Sequence, residues 1–337
     1  MKAVGYIESL PTSDPRSLFD FDAPTPSPGP RDLLVSVRAV SVNPIDCKVR
    51  MRAQGTAEQP KILGFDCAGV VQSVGSEVTL FKPGDEVFYA GSILRPGTNS
   101  ELHLVDERLA GPKPRKLSFA EAAALPLTSL TSWELLFDRL RIPFGKLQYA
   151  GALLVIGASG GVGSILVQLA RRLTGLTVIG SGSRPESRQW VLDNGAHHAV
   201  DHSRKLSEEV RKLGIQYVEF IIGLNHSGEH FDEIVELIAP QGAFALIDDP
   251  SPIDIRKLKP KSASLHWEMM FARSTFQTPD MIEQHRILRN ISTLVDEGLL
   301  RTTLGKVSGR IDSKNLRAAH AKIESGKSIG KIVLEGF

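Results

Sequence analysis

The chain has 337 residues, 42% of them hydrophobic and 23% charged, an ordinary globular composition that excludes disordered and fibrous classes. A formal net charge of +2, with no Lys/Arg-rich tract, gives no electrostatic footprint for nucleic acid or an anionic membrane. Single cores seldom grow past about 250–300 residues, so two domains are expected.

The N-terminal Met1-Lys2-Ala3-Val4-Gly5 lacks the charged, apolar and cleavage regions of a signal peptide. Ala23 to Pro30 carries four prolines in alternation and reads as a loop leading into Leu34–Val40, which alternates as a half-buried strand does. The two cysteines, Cys47 and Cys67, are too few for a disulfide framework or a thiolate zinc cluster and read as free thiols in a reducing cytoplasm. Phe81 to Val87 sets Pro83-Gly84 between apolar segments, a hairpin signal. From about Ala120 the pattern changes. Ser118 with Glu121 supplies a helix N-cap, and Leu153–Ile156, Thr177–Ile179, Val218–Ile222 and Ala243–Ile247 are short apolar strands separated by helical stretches such as Ser164–Leu173. Strands of this kind belong in a parallel sheet with both faces covered. Ala152 to Ala170 carries no charge, but Ser159-Gly160-Gly161-Val162-Gly163 at its centre suits a tight turn and not a membrane-spanning helix.

That glycine loop lies between a predicted strand and a predicted helix. Small residues let backbone approach a pyrophosphate, and the helix N-terminus offers free N–H groups and a positive dipole. Ser159, Gly160, Gly161, Val162 and Gly163 are therefore predicted to hold a dinucleotide. An NAD site needs an acidic residue at the end of the next strand. Here that position reads Ser181-Gly182-Ser183-Arg184-Pro185, where Ser183 and Arg184 can donate to a 2′-phosphate, so NADPH is the expected cofactor. The plain alternative is a solvated Arg184 on a turn. His202, after the short strand His198–Asp201, is either a platform for adenine or an exposed loop histidine.

The residues now in view resemble the medium-chain dehydrogenase/reductase superfamily over essentially the full length. The quinone oxidoreductases related to zeta-crystallin are the branch most alike. The match is carried by Val42–Asp46, Leu63–Gly69, Pro83–Val87, Ala158–Gly163 and Gly330–Leu334. Ser183–Glu186 and Leu265–Phe271 resemble a subgroup often labelled zinc-type alcohol dehydrogenases. The resemblance implies an α/β fold with a GroES-like β-rich catalytic domain, 1–126 and 271–337, around a Rossmann NADPH-binding domain of doubly wound parallel sheet, 127–270. It also implies an active site in the cleft between them, and a cytoplasmic homodimer.

The zinc label conflicts with the residues. Catalytic zinc in the superfamily's alcohol dehydrogenases sits on a Cys, a His and a second Cys, and those positions align with Asn43, Phe65 and Leu127. Asp66 follows the missing His, but one carboxylate does not make a three-ligand site. No metal is expected. His226-Ser227-Gly228-Glu229-His230 fits an inverted metalloprotease pattern, yet Gly228 interrupts it, and a polar loop is the better account.

Without zinc there is no Lewis acid to ionise an alcohol, whereas quinones and enones accommodate hydride by delocalisation. The resemblance puts Asn43, Asp46 and Lys48 at the reaction site: Asn43 to bond an oxygen, Lys48 to stabilise an enolate or relay a proton. Asp46 reads equally as a brace for its turn, and Lys48 equally as a surface lysine. Thr128 is expected to bond the nicotinamide ribose or amide, or simply to cap a helix, and Lys331 in the terminal motif is placed with the cofactor. Phe65, Trp267, Met270 and Phe271 are expected to wall the substrate pocket, although aromatics at strand-like spacing also fill cores. The expected function is NADPH-dependent, zinc-independent hydride transfer to a quinone or α,β-unsaturated carbonyl. Two rivals are a zinc-dependent alcohol dehydrogenase and a non-catalytic NADPH-binding protein.

Overall fold

A computed structural model describes residues 1–146 and 151–337, which divide into two compact units, Met1–Leu130 with Phe271–Phe337, and Thr131–Met270. In chain order the first unit holds β1 (Lys2–Tyr6), β2 (Phe19–Asp22), β3 (Asp32–Val42), α1 (Pro44–Arg52), β4 (Lys61–Ile62), β5 (Asp66–Val74), β6 (Glu86–Tyr89), β7 (Leu102–Asp106), β8 (Ala110–Pro112) and α2 (Phe119–Ala123). Helix α3 (Pro126–Trp133) carries the chain into the second unit. There follow β9 (Ala152–Ile156), α4 (Gly161–Leu173), β10 (Thr177–Ser181), α5 (Pro185–Asp193), β11 (His198–Val200), α6 (Leu206–Arg211), β12 (Val218–Gly223), α7 (Phe231–Leu237), β13 (Ile238–Leu246) and β14 (Ser264–Trp267). The first unit is completed by α8 (Ala272–Phe276), α9 (Glu283–Asp296), β15 (Leu304–Val307), α10 (Ser313–Glu324) and β16 (Lys331–Glu335).

The first unit is built on a seven-stranded sheet, β15-β16-β3-β5-β6-β8 with β7 also on β3, and a small sheet β2-β1-β4. Its long strand β3 pairs antiparallel with β5, β7 and β16, so residues distant in sequence meet across it. The Pro83-Gly84 turn joins β5 to β6 as predicted, with Gly84 at φ 93°. Ser118 caps α2 by accepting from the Glu121 N–H, while Glu121 accepts from the Ser118 N–H.

The second unit is a six-stranded parallel sheet in the order β11-β10-β9-β12-β13-β14. The chain runs outward from β9 in both directions, which is the doubly wound arrangement. β9 is buried along its whole length, and Leu154, Ile156, Ile221, Phe244 and Leu246 pack into one apolar core with α6 and α7. Most boundaries shift by a residue or two from the sequence expectation, and two starts shift further. Helix α4 starts at Gly161, because the glycines already take helical geometry, and β13 begins at Ile238. Among the described residues no helix is long and apolar enough to cross a membrane; the uncharged Ala152–Ala170 stretch is strand, turn and helix.

Candidate functional site

In the second unit the glycine loop links β9 to α4 at the carboxyl end of the parallel sheet. Its glycines have separate tasks. Gly157 sits at φ 81°, a left-handed conformation that turns the chain off the strand, and a β-carbon there would fall 2.3 Å from Asn225 Oδ1. Gly163 lets α4 approach the loop, since a β-carbon would meet the Ala158 Cα at 2.4 Å. Gly160 differs: at the N-cap of α4, its β-carbon would find only the Gly157 carbonyl at 3.7 Å. A side chain there would fill an open cradle beside the helix N-terminus, where a pyrophosphate fits. Ser159, Gly161 and Val162 border it half-buried. The Gly160 carbonyl accepts from Ser164 Oγ at 2.7 Å, and Ser164 in turn accepts from Trp190 Nε1 at 2.8 Å. Nothing in the sequence spacing of Ser164 and Trp190 announces that bond.

Ser181 ends β10 fully buried, so it acts on the loop and not at a surface. Its Oγ accepts from the Gly157 N–H at 3.1 Å and lies 2.7 Å from His202 Nδ1. The Gly157 N–H and the His202 ring together hold the Ser181 hydroxyl on the loop. Burial, and then the neighbouring His230, hold the His202 pKa below the usual histidine value. His202 is half-buried and tied down, rather than an exposed loop residue. Ser183 is exposed and Arg184 half-buried, its guanidinium 3.4 Å from Glu186. Arg188, which no motif marks in the sequence, reaches back from α5 to the same strand end.

The first unit concentrates its charge in a buried polar cluster. Asp66 opens β5, Asn43 follows β3, and Lys331 opens β16; all three are at most 3% exposed. Lys331 Nζ lies 2.9 Å from Asp66 Oδ2, bonds Asn43 Oδ1, and donates to the Val42 carbonyl at 3.2 Å. Asp66 Oδ2 also accepts from Ser41 Oγ at 2.7 Å and Asn43 Nδ2 at 2.8 Å, while Oδ1 accepts from the Leu127 N–H at 2.7 Å. Lys331, expected with the cofactor, is thus the counter-charge of a buried carboxylate, which would otherwise stand uncompensated in low dielectric.

Asp46 stands in the first turn of α1. One carboxylate oxygen accepts from the Asn43 N–H at 2.8 Å and the other from the Gly64 N–H at 3.0 Å. The side chain therefore braces the turn, the second of its two sequence readings. Burial pushes its pKa up to about 7, against the pull of the Asn43 amide, Lys331 and the Gly64 amide; Asp66 adds to the rise. Lys48 is half-buried on the same helix. Thr128 is buried within α3, its hydroxyl donating to the Leu125 carbonyl at 3.0 Å, which is the local-bond alternative of its sequence reading.

The expected pocket wall divides. In the first unit Phe65 and Phe271 are buried and meet edge-on with ring centroids 5.1 Å apart. In the second, Met270 is buried while Trp267 is 57% exposed. Met270 and Phe271 lie past β14, Phe271 at the start of α8, so strand spacing does not govern them. His226 takes φ 53° and pairs with Glu229 at 2.9 Å in a turn ahead of α7. Among the described residues no three His, Cys, Asp or Glu side chains are grouped to hold a metal ion. Cys47 and Cys67 are buried and unpaired with each other.

Residues 29–130 match the alcohol dehydrogenase GroES-like domain family, and residues 194–334 match the zinc-binding dehydrogenase family. A zinc-type alcohol dehydrogenase-like protein of Staphylococcus aureus is 36% identical over 336 residues, covering 99% of both chains. The mouse quinone oxidoreductase is 31% identical over 239 residues, 69% of this chain and 70% of its own. A crystal structure of a provisionally named zinc-dependent alcohol dehydrogenase protein from Rhizobium etli CFN 42 is 55% identical. It covers 100% of this chain and 98% of its own, with a TM-score of 0.96. The chain belongs to the medium-chain dehydrogenase/reductase superfamily of oxidoreductases, in the branch shared by the zinc-type alcohol dehydrogenase-like proteins and the quinone oxidoreductases.

Proposed function

We propose that the protein is a zinc-independent, NADPH-dependent oxidoreductase that reduces a quinone or an α,β-unsaturated carbonyl. The observation that carries this reading is the Lys331–Asp66–Asn43 cluster, 2.9 Å between ammonium and carboxylate. Asn43 and Leu127 stand at two of the family's zinc-ligand positions, and both are bonded to Asp66. The oxygens of that carboxylate are already shared among one ammonium, two side-chain donors and a backbone N–H. A lysine cation in the second coordination layer repels a second cation, and an amide and a leucine offer no thiolate or imidazole. The donor set does not fit zinc.

It does fit a dinucleotide. The residues that would hold it are the loop Ser159–Gly163, with its open cradle at Gly160, and Ser183 and Arg184 at the end of β10. When bound, reduced NADPH supplies a hydride. Asn43 and Asp46 are each 1% exposed, so their part is to fix the shape and field of α1's first turn, not to exchange protons with substrate. Lys48, half-buried on that helix, is the group proposed to face the developing oxyanion. A quinone or enone suits such a site, because conjugation spreads the charge that zinc would otherwise carry, and solvent completes protonation. The similarity to quinone oxidoreductase supports the substrate class. The homodimer and the cytoplasmic setting implied by the resemblance belong to the same proposal.

Purified protein incubated with NADPH or NADH and a panel of quinones, enones and aldehydes tests the reading, alongside elemental analysis. Expected are NADPH oxidation with quinones or enones and turnover indifferent to chelator. One zinc per chain, with activity lost on chelation, supports the alcohol dehydrogenase rival instead. Tight NADPH binding without turnover on any acceptor supports the non-catalytic one.

A further inference from the structure

We propose that Arg188, more than Arg184, is the residue that selects a phosphorylated ribose, an inference that rests on the NADPH reading above. β10 and β11 lie side by side with Ser181 level with Val200, so their carboxyl ends form one ledge. Two carboxylates approach this ledge, and either would repel a 2′-phosphate if left uncompensated. Glu186 lies 3.4 Å from Arg184, with both side chains more than a third exposed. Such a pair is solvent-screened and contributes little order.

Asp201 is different. Its side chain is only 15% exposed, and Oδ1 accepts from the Ser203 N–H at 3.0 Å and Ser203 Oγ at 2.6 Å. Oδ2 faces Arg188 Nη1 at 3.1 Å, with Arg204, itself 69% exposed, 3.9 Å away. Burial raises the Asp201 pKa, but the Ser203 bonds and then the two arginines hold it below the ordinary carboxylate range. The carboxylate stays charged and stays neutralised.

Arg188 Nη1 also donates to the Gly182 carbonyl at 3.2 Å and the Ser183 carbonyl at 3.1 Å. One nitrogen thereby pins a guanidinium to the turn that follows β10, and Nη2 and Nε are not used by those contacts. Gly182 makes the approach feasible, since a β-carbon there would stand 2.7 Å from Ser187 Oγ and 3.3 Å from the Arg188 N. A planar fork held in place binds phosphate at small entropic cost, and its bonds to the anion are charge-assisted. Arg188 thus has two tasks: cancelling Asp201, whose charge at the neighbouring strand end would otherwise repel a phosphate, and offering its remaining N–H groups to that phosphate.

The test is calorimetric binding of 2′,5′-ADP and 5′-AMP to the whole protein, which differ only in the 2′-phosphate. In Arg188→Gln, 2′,5′-ADP affinity is expected to fall about tenfold or more with 5′-AMP unchanged, while Arg184→Gln loses much less. Equal loss of both ligands, no loss, or a larger loss in Arg184→Gln overturns the assignment. If Arg188→Gln does not fold, Arg188→Lys keeps the charge without the fork; it is expected to weaken 2′,5′-ADP several-fold, and unchanged affinity overturns the proposal. Wild-type protein that binds both ligands alike sinks the NADPH reading itself, a result distinct from failure of the Arg188 assignment.

Discussion

Two buried regions of the first unit, both involving α1, solve the same problem in opposite ways. Around Asp66, the carboxylate and the ammonium are satisfied by side chains and backbone from β3, β5, α3 and β16. A short distance along the chain, α10 brings His320 to α1 fully buried with both ring nitrogens unpartnered, while Arg50 bonds Glu324 and the Leu10 carbonyl but leaves its Nε unpaired. Polar burial costs little where a network closes and a great deal where it stays open. The first cluster is therefore a satisfied network, the second a weak point of the fold.

Breaking the closed network has the largest expected effect. Lys331→Met leaves the Asp66 charge buried without a counter-ion and should cost about 3–5 kcal/mol in urea unfolding, with partial recovery when Asp66→Asn is added. If Lys331→Met is neutral, the ion pair is not what holds β16 to β3 and β5. Next comes the glycine loop. Gly163→Ala drives a β-carbon into backbone 2.4 Å away and should cost about 1–3 kcal/mol. Gly160→Ala, at φ −74°, should leave stability within about 0.5 kcal/mol. Only its dinucleotide affinity should fall, by fluorescence titration. Equal behaviour of the two variants would show that no cradle exists at Gly160.

Closing the open region is the third test. His320→Leu removes two unpaired nitrogens and should stabilise the fold by about 1–3 kcal/mol. Burial, and then Arg50, lower the His320 pKa to about 3. A histidine depressed below its unfolded value of about 6.5 contributes fully above that pH, and its contribution is lost as pH falls towards the folded value. The wild type should therefore lose stability on acidification from pH 6.5 to pH 4 more steeply than the variant; parallel curves would place His320 outside the acid response. The smallest destabilisation expected of a disrupted contact belongs to an exposed cap: Ser118→Ala should lower stability by about 1 kcal/mol, read from the thermal midpoint.

These contrasts explain what was legible in the sequence. The parallel sheet and its loop are written locally: apolar runs of three to five residues, glycines between strand and helix, Ser118 three before Glu121. The direction of Ser181 was not, because whether a strand-end hydroxyl faces ligand or protein depends on His202 and Gly157, 21 and 24 residues away. Asp46 carried two readings until Gly64 was seen to donate to it. Lys331 sits in a recognisable motif, yet its partner lies 265 positions earlier, and no periodicity encodes that. Arg188 looked like any polar residue on a surface helix until Asp201 gave it an anchor.

The distance between Asp66 and Lys331 also has a bearing on how the protein is made. Ribosomes add roughly 5–20 residues each second, so the 265-residue interval leaves Asp66 waiting for its lysine for roughly 13–53 s. Throughout that time the nascent β3–β5 pair carries this carboxylate without its counter-charge, beside the β3 edge where β16 will dock. The Rossmann unit, whose residues all emerge before Lys331, can fold while its neighbour still lacks β16, and a stalled or truncated translation product would expose that unpaired β3 edge to chaperones and proteases.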